Sequence, residues 1–342
     1  MSFSQRLNKV PLTSRDNLSQ ITGKLEVNLR LIDRVHVGSG GLKLKSKDPI
    51  LIKRLAKEII SGKDISRIGV EAVNLVFIEQ DFVRVGNKVC IPGSTIKGLI
   101  RSRLELMAGK RGNDIVASAC LSIPSRPLTQ PPPIGAPGWR HVRIWGKAVS
   151  VLREGESFLE EELVSELCPI CNLFGAPHIS SRVFFNDFYC EDRCEVTTCV
   201  FKDYGMQLEV LEPNSVFRGG VILRGVTLEE LGLLLIGMGF DGNQFKPVLI
   251  GRMKYAAEGF GKVRFEVIKL IVSEYTIKYL EEVGISLRRI AFNYIIDGDE
   301  LRKLLNLAFN EARKKFPDIE PFSESEEKDR LNVNLNLTRC SV

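Results

Sequence analysis

The chain has 342 residues, 44% hydrophobic and 26% charged, with 48 Lys and Arg against 42 Asp and Glu, a formal charge of +6 and a pI near 8.8. That composition belongs to a globular protein with a real core, and no run of about 18 apolar residues could cross a bilayer. The polar residues 1–8 lack the apolar stretch of an export signal, so a cytoplasmic protein without membrane contact is expected. The charge excess suits a polyanionic partner without demanding one.

In chain order, residues 25–37 (LEVNLRLIDRVHV) alternate apolar and polar side chains, the pattern of a half-buried strand, and end in the loop Gly38-Ser39-Gly40-Gly41. Residues 48–60 read as an inserted helix with Leu51, Leu55, Ile59 and Ile60 on one side. Residues 74–78 and 82–89 are strand-like around a turn. In Ile91-Pro92-Gly93-Ser94-Thr95-Ile96-Lys97-Gly98 the proline and glycine break the strand, and Ser94 is the expected N-cap of a helix. Its apolar stripe is Ile96, Leu99, Ile100, Leu104 and Met107.

Residues 121–139, rich in proline, form a long irregular loop. Ser157-Phe158-Leu159-Glu160 is a capping box opening a short acidic helix, and residues 182–189 alternate as a strand. Residues 203–224 make two strands joined at Pro213-Asn214. Thr227-Leu228-Glu229-Glu230 is a second capping box, before the apolar run LGLLLIGM. A closing strand at 262–271, a helix at 299–315 and a charged, exposed segment at 323–330 complete the chain.

Reduced to its core, the order is strand, insertion, helix, strand, strand, helix, strand. This is an α+β chain with a ferredoxin-like, RNA-recognition-motif-like core over residues 20–275. Insertions fall at about 42–72 and 110–180, and residues 276–342 form a C-terminal helical extension. Topology of this kind leaves function open.

Two motifs point to phosphate. The first amides of a helix carry partial positive charge, and Ser94, Lys97 and Arg101 share a ridge of the helix at 94 onward. A solvated face with Arg101 paired to Glu105 is the competing reading. Gly251-Arg252-Met253-Lys254 and Gly259-Phe260-Gly261-Lys262 combine glycines that allow close approach with flanking cations, although a plain turn reads the same way.

Cys168 and Cys171 form C-x2-C, and Cys190 and Cys194 form C-x3-C. Two such pairs can surround zinc, while packed thiols or disulfides remain open, the latter if the Lys/Glu/Ile-rich composition reflects a hyperthermophilic source. His36, near a strand end, reads most simply as a hydrogen-bonded structural residue. His141 and His178 show no partner pattern.

Taken in order, these segments resemble the RAMP superfamily of CRISPR systems, most nearly the repeated backbone subunit of type III complexes. His36-Val37-Gly38-Ser39-Gly40 is similar to the family's H-x-G-x-G opening. The stretch IPGSTIKG with Arg101 is similar to its I-P-G-S-S-x-K-G helix start, and Cys168 to Gly175 (CPICNLFG) to its C-x-x-C-x-L-F-G box, with Ser181 to Asp187 following. Gly259 to Val263 (GFGKV) is similar to its G-x-G-K-V ending.

The resemblance implies a subunit that binds CRISPR RNA and target RNA alongside other effector subunits, including copies of itself. The expected RNA contacts are His36, Ser94, Lys97, Arg101, Arg252, Lys254, Gly259, Gly261 and Lys262. It also implies a thumb-like hairpin at about 197–221, with Phe201, Tyr204 and Met206 as wedges between bases. In type III backbones an aspartate supports cleavage of target RNA with Mg²⁺ or Mn²⁺; here Asn74 stands in its place, and an amide is a poor substitute for a carboxylate. Glu71 and Asp81 are nearby acids, so an endoribonuclease remains the alternative to a binding subunit. A repeat-processing RNase ranks third for want of an acid/base set.

Overall fold

Alternation builds the central strand. In the computed structural model, which describes residues 6–46, 48–62, 76–108, 116–119, 165–176, 178–191, 194–331 and 338–341, β1 (Ile21–Leu31) buries Ile21, Leu25, Val27, Leu29 and Leu31 on one face. It starts earlier than the sequence pattern implied and ends before His36. β2 (Gly38–Ser46) and β3 (Val76–Phe82) pair antiparallel on either side of α1 (Pro49–Ile60), whose N-cap Asp48 accepts from the amides of Ile50 and Leu51. Of the stripe expected on α1, Leu55 is buried while Ile60 faces solvent.

β4 (Lys88–Ile91) leads through Pro92 into α2 (Gly93–Met107), and the whole expected stripe of that helix is buried. Then come α3 (Pro169–Phe174), the short strands β5 (Val183–Phe185) and β6 (Phe188–Cys190), and the pair β7 (Val196–Phe201) and β8 (Met206–Leu211). β9 (Val216–Val226) precedes α4 (Leu228–Gly237), which opens with a complete capping box between Thr227 and Glu230. β10 (Lys262–Val272), α5 (Ile277–Glu282), β11 (Arg288–Ile290), β12 (Asn293–Ile296), α6 (Gly298–Lys315) and α7 (Glu324–Arg330) follow.

The large sheet runs β11-β12-β10-β1-β9-β6-β4. Its middle, β10-β1-β9-β6, is antiparallel throughout and interleaves two β-α-β halves as in the ferredoxin-like fold. α2 and α4 pack against one another over the apolar side of this sheet, and α6 lies along α4. Gly232 permits that closeness: a Cβ there would sit 2.0 Å from the Ala308 carbonyl oxygen. A second sheet, β7-β8-β3-β2, joins β8 to β3 in parallel, and Cys199, Phe201, Leu208, Val210, Ala257 and Phe260 form a small separate core.

Two expectations for the C-terminal part need correction. Residues beyond 276 are not helical alone, because β11 and β12 extend the large sheet through Leu270↔Ile296. The charged segment at 323–330 is a capped helix, α7, whose Glu327 is fully buried against Arg103. A charged residue becomes core only when its partner is present, and that partner lies far away in sequence. The proline-rich loop and the helix expected after Ser157 lie outside the described residues.

Candidate nucleic-acid interface

The start of α2 differs from the expected capping. Pro92, not Ser94, is the N-cap and provides no side-chain acceptor. The Gly93 amide donates instead to Asp187 Oδ1 at 2.9 Å, and the amides of Thr95 and Ile96 reach the Pro92 carbonyl. Gly93 is required here, since a Cβ would lie 2.0 Å from the Phe185 carbonyl oxygen. Ser94 is exposed one residue inside the helix.

Lys97 and Arg101 share a ridge and line a shallow cleft of about 360 Å³ with Phe174, Gly175 and Ser181. Arg101 is committed: it donates to Glu105 at 2.9 Å, to the Gly175 carbonyl at 3.0 Å and to Cys171 Sγ at 3.5 Å. It therefore ties α2 to the cysteine box. Lys97 has no ion-pair partner among the described residues; burial, then the charge of Arg101, pull its pKa down. A cation in that state gains from a phosphate.

The glycine loop packs against the His36 segment. Arg252 N–H donates to the His36 carbonyl, Gly261 N–H to the Arg34 carbonyl, and Gly251 lies so close that a Cβ would be 2.3 Å from the His36 carbonyl oxygen. Arg252 is exposed and bonds Gln80. Lys254 reaches the Leu249 carbonyl at 3.3 Å, and Lys262 pairs with Glu324 at 2.9 Å. Gly259 is exposed in left-handed geometry at φ +68°, with open space where a side chain would be, whereas Gly261 at φ +87° is packed against Lys254.

His36 does not face outward as an RNA contact would. It is fully buried, its Nδ1 donates to the Glu209 carbonyl at 2.6 Å, and its Nε2 has no hydrogen-bond partner. Burial holds its pKa below the ordinary 6.5, so the ring is neutral. The charges of Glu209 and Glu79 reach the ring, and each carboxylate of this group has its own cation: Glu79 with Lys45, Glu209 with Arg84 at 2.5 and 2.7 Å, and Asp81, near Arg84, with Lys43 at 3.0 Å. Burial raises the Glu209 pKa, but the Arg84 and Phe82 donors outweigh it and leave the net shift downward.

Glu71 and Asn74 lie outside the described residues, so of the acids considered for metal only Asp81 can be placed. Among the described residues no group of three or more His, Cys, Asp or Glu could hold a metal ion. The four-cysteine zinc set is not assembled: Cys190 is bonded to Cys194, while Cys168 and Cys171 are buried and take part in no disulfide. Cys168 instead caps α3 by accepting from the Cys171 amide. A second disulfide joins Cys199 to Cys340.

The hairpin β7–β8 stands where a thumb was expected, but only part of it is presented. Phe201 is fully buried with its ring edge against Phe260, which removes it as a wedge; Met206 is partly buried against the small core. Tyr204, 52% exposed, sits in the turn.

Sequence reasoning missed Arg182. This fully buried guanidinium holds Glu230 and the carbonyls of Asn172 and Gly225, joining the cysteine box, β9 and α4. Its place in the Ser181-to-Asp187 stretch was the available signal.

The RAMP superfamily model matches residues 28–336. Comparison with curated proteins gave no match. A crystal structure of Thermofilum pendens Csc2 is similar over 94% of this chain and 92% of that chain, at 13% identity and a TM-score of 0.39, too loose a likeness to carry any further step.

Proposed function

The chain belongs to the RAMP superfamily, and from that premise we propose that it is an RNA-binding backbone subunit of a type III CRISPR effector complex. In this reading it holds guide RNA and positions target RNA beside other subunits. The match over residues 28–336 is the observation that carries the reading. Lys97, Ser94, Arg252 and Gly259 are the motif residues whose exposure or lack of a partner suits RNA contact, and Tyr204 is the wedge. Arg101, Lys254 and Lys262 act chiefly by holding the surfaces that carry them. Residues 20–275 make the RNA-holding core, and the later residues buttress it.

Fluorescence anisotropy with a labelled single-stranded RNA tests this. Wild-type affinity should fall steeply with salt. Lys97→Ala and Arg252→Ala should each weaken binding of all sequences alike and flatten the slope of log K against log salt by about 0.7. Binding without salt dependence, or slopes unchanged in both variants, overturns the reading.

The enzymatic alternative is tested with guide, complementary RNA and Mg²⁺ or Mn²⁺. With Asn74 in place of the expected aspartate, this subunit should cleave little or not at all. Metal-dependent cleavage abolished by Glu71→Ala or Asp81→Ala would make it an endoribonuclease.

A further inference from the structure

We infer that the open face of the large sheet is an additional single-stranded RNA site, in which Arg30 and Arg264 take a phosphate and Tyr189 with Arg218 stacks a base of the same strand. The inference rests on the RNA-binding reading above and names where, beyond the family motifs, a nucleotide would lie.

The first observation is a local rule broken. Arg30 on β1 and Arg264 on β10 are directly opposed in antiparallel register, and both are exposed. Directly opposed residues have Cβ atoms about 4.5–5.5 Å apart, and like charges there are destabilising. Neither arginine has a carboxylate within ion-pair distance among the described residues. Other cations of this face are paired: Lys24 and Lys269 with Glu26 at 3.5 and 3.2 Å, Arg218 with Glu191 at 2.8 Å, Arg224 with Asp16 at 3.7 Å. Two opposed, uncompensated guanidiniums on a rigid sheet suit one bridging phosphate. Violations of local consistency of this kind concentrate at functional sites.

The second observation lies one outward row along the strands, about 7 Å away at two residues' rise. There Tyr189 opposes Arg218, which opposes Asn28. Beside this row is an open cavity of about 580 Å³, lined by Tyr189, Arg218, Phe185, Asn186, Asp187 and Gly220 among others. Gly220 sits inside β9 on this face, where glycine weakens a strand and commonly marks a close approach; Gly219 faces the core and makes room for the Phe188 ring. A side chain at Gly220 would rise from the floor toward Lys24. An aromatic ring beside a guanidinium, over a glycine floor crossed by the Lys24 stem, forms a stacking platform for an unpaired base. With two strand spacings of about 4.8 Å between them as well, the platform lies about 12 Å from the arginine pair, close enough for one single strand to cross both.

The third is continuity. Asp187 lines this cavity and also receives the Gly93 amide at the start of α2, so the platform adjoins the ridge that carries Lys97.

The test uses the full chain, a labelled oligouridine and thermal melting. Arg30→Ala/Arg264→Ala should weaken binding and flatten the salt slope by about 0.7 to 1.4, while the melting temperature holds or rises as the like-charge repulsion is removed. Arg264→Glu should raise the melting temperature and lower affinity. Tyr189→Ala should lose about tenfold in affinity with the salt slope unchanged, and Tyr189→Phe should restore it. Unchanged RNA binding in the arginine variants, with Lys97→Ala still impaired, overturns this site alone and assigns the face to another macromolecule, such as an acidic protein surface. Loss of binding together with a fall in melting temperature makes the pair structural and also overturns it. Absence of RNA binding by the wild type removes both readings.

Discussion

The buried pair Arg103–Glu327 holds the C-terminal helix to the core, and its removal should be among the costliest single changes in the chain. Both side chains are fully buried. Arg103 also donates to the Phe322 carbonyl at 3.1 Å and lies 4.7 Å from the Phe322 ring centroid, while Tyr255 Oη donates to Glu327 Oε1 at 2.5 Å. Glu327→Ala leaves a buried guanidinium without its carboxylate and removes the acceptor of the Tyr255 hydroxyl bond. Breaking such a pair costs about 3–5 kcal/mol. At about 2 °C per kcal/mol for a chain of this size, the melting temperature should drop by about 6–10 °C. The double variant Arg103→Met/Glu327→Leu removes both charges and should recover most of that loss, because apolar packing often replaces a buried pair at no net cost. Denaturant unfolding of wild type, Arg103→Met, Glu327→Leu and the double variant gives the coupling directly. A single variant within about 1 kcal/mol of wild type, or a double variant worse than either single, refutes the reasoning.

Three further outcomes follow from the geometry. His36 has a depressed pKa when folded, so below its ordinary 6.5 the unfolded chain takes up a proton that the folded one refuses; stability present above pH 6.5 is lost as pH falls, by up to about 1.4 kcal/mol per unit. His36→Gln should shrink the difference in melting temperature between neutral and mildly acidic buffer, and an undiminished difference would assign it to other groups. Gly93→Ala should destabilise by about 1–3 kcal/mol, since its Cβ would meet the Phe185 carbonyl; a neutral result in denaturant unfolding would refute that close approach. Cys340→Ala should cost about 2–5 kcal/mol in oxidising buffer, because Cys199–Cys340 closes a long loop, and this difference should vanish with reductant.

Local rules carried the scaffold. Alternation marked β1 and β10, the Thr227–Glu230 box placed the start of α4, and helical spacing identified the buried stripe of α2, because each of these signals is written within four residues of chain. The order of those elements sufficed for the ferredoxin-like arrangement, and the ordered motifs sufficed for the family. What each cation does was decided only by the tertiary structure. On the ridge shared by Lys97 and Arg101 the sequence leaves Arg101 between a phosphate and Glu105, and the structure binds it to Glu105 and to the Gly175 carbonyl. Glu327 reads as surface and is core through Arg103, Cys190 is bonded to Cys194 rather than set around zinc with Cys168 and Cys171, and Cys199 meets Cys340. Arg30 and Arg264, far apart in sequence, become neighbours only through strand register. A charge or thiol takes its role from the group it meets, and for Glu327, Cys199, Arg30 and Arg264 that meeting is set by long-range pairing that no local window of sequence contains.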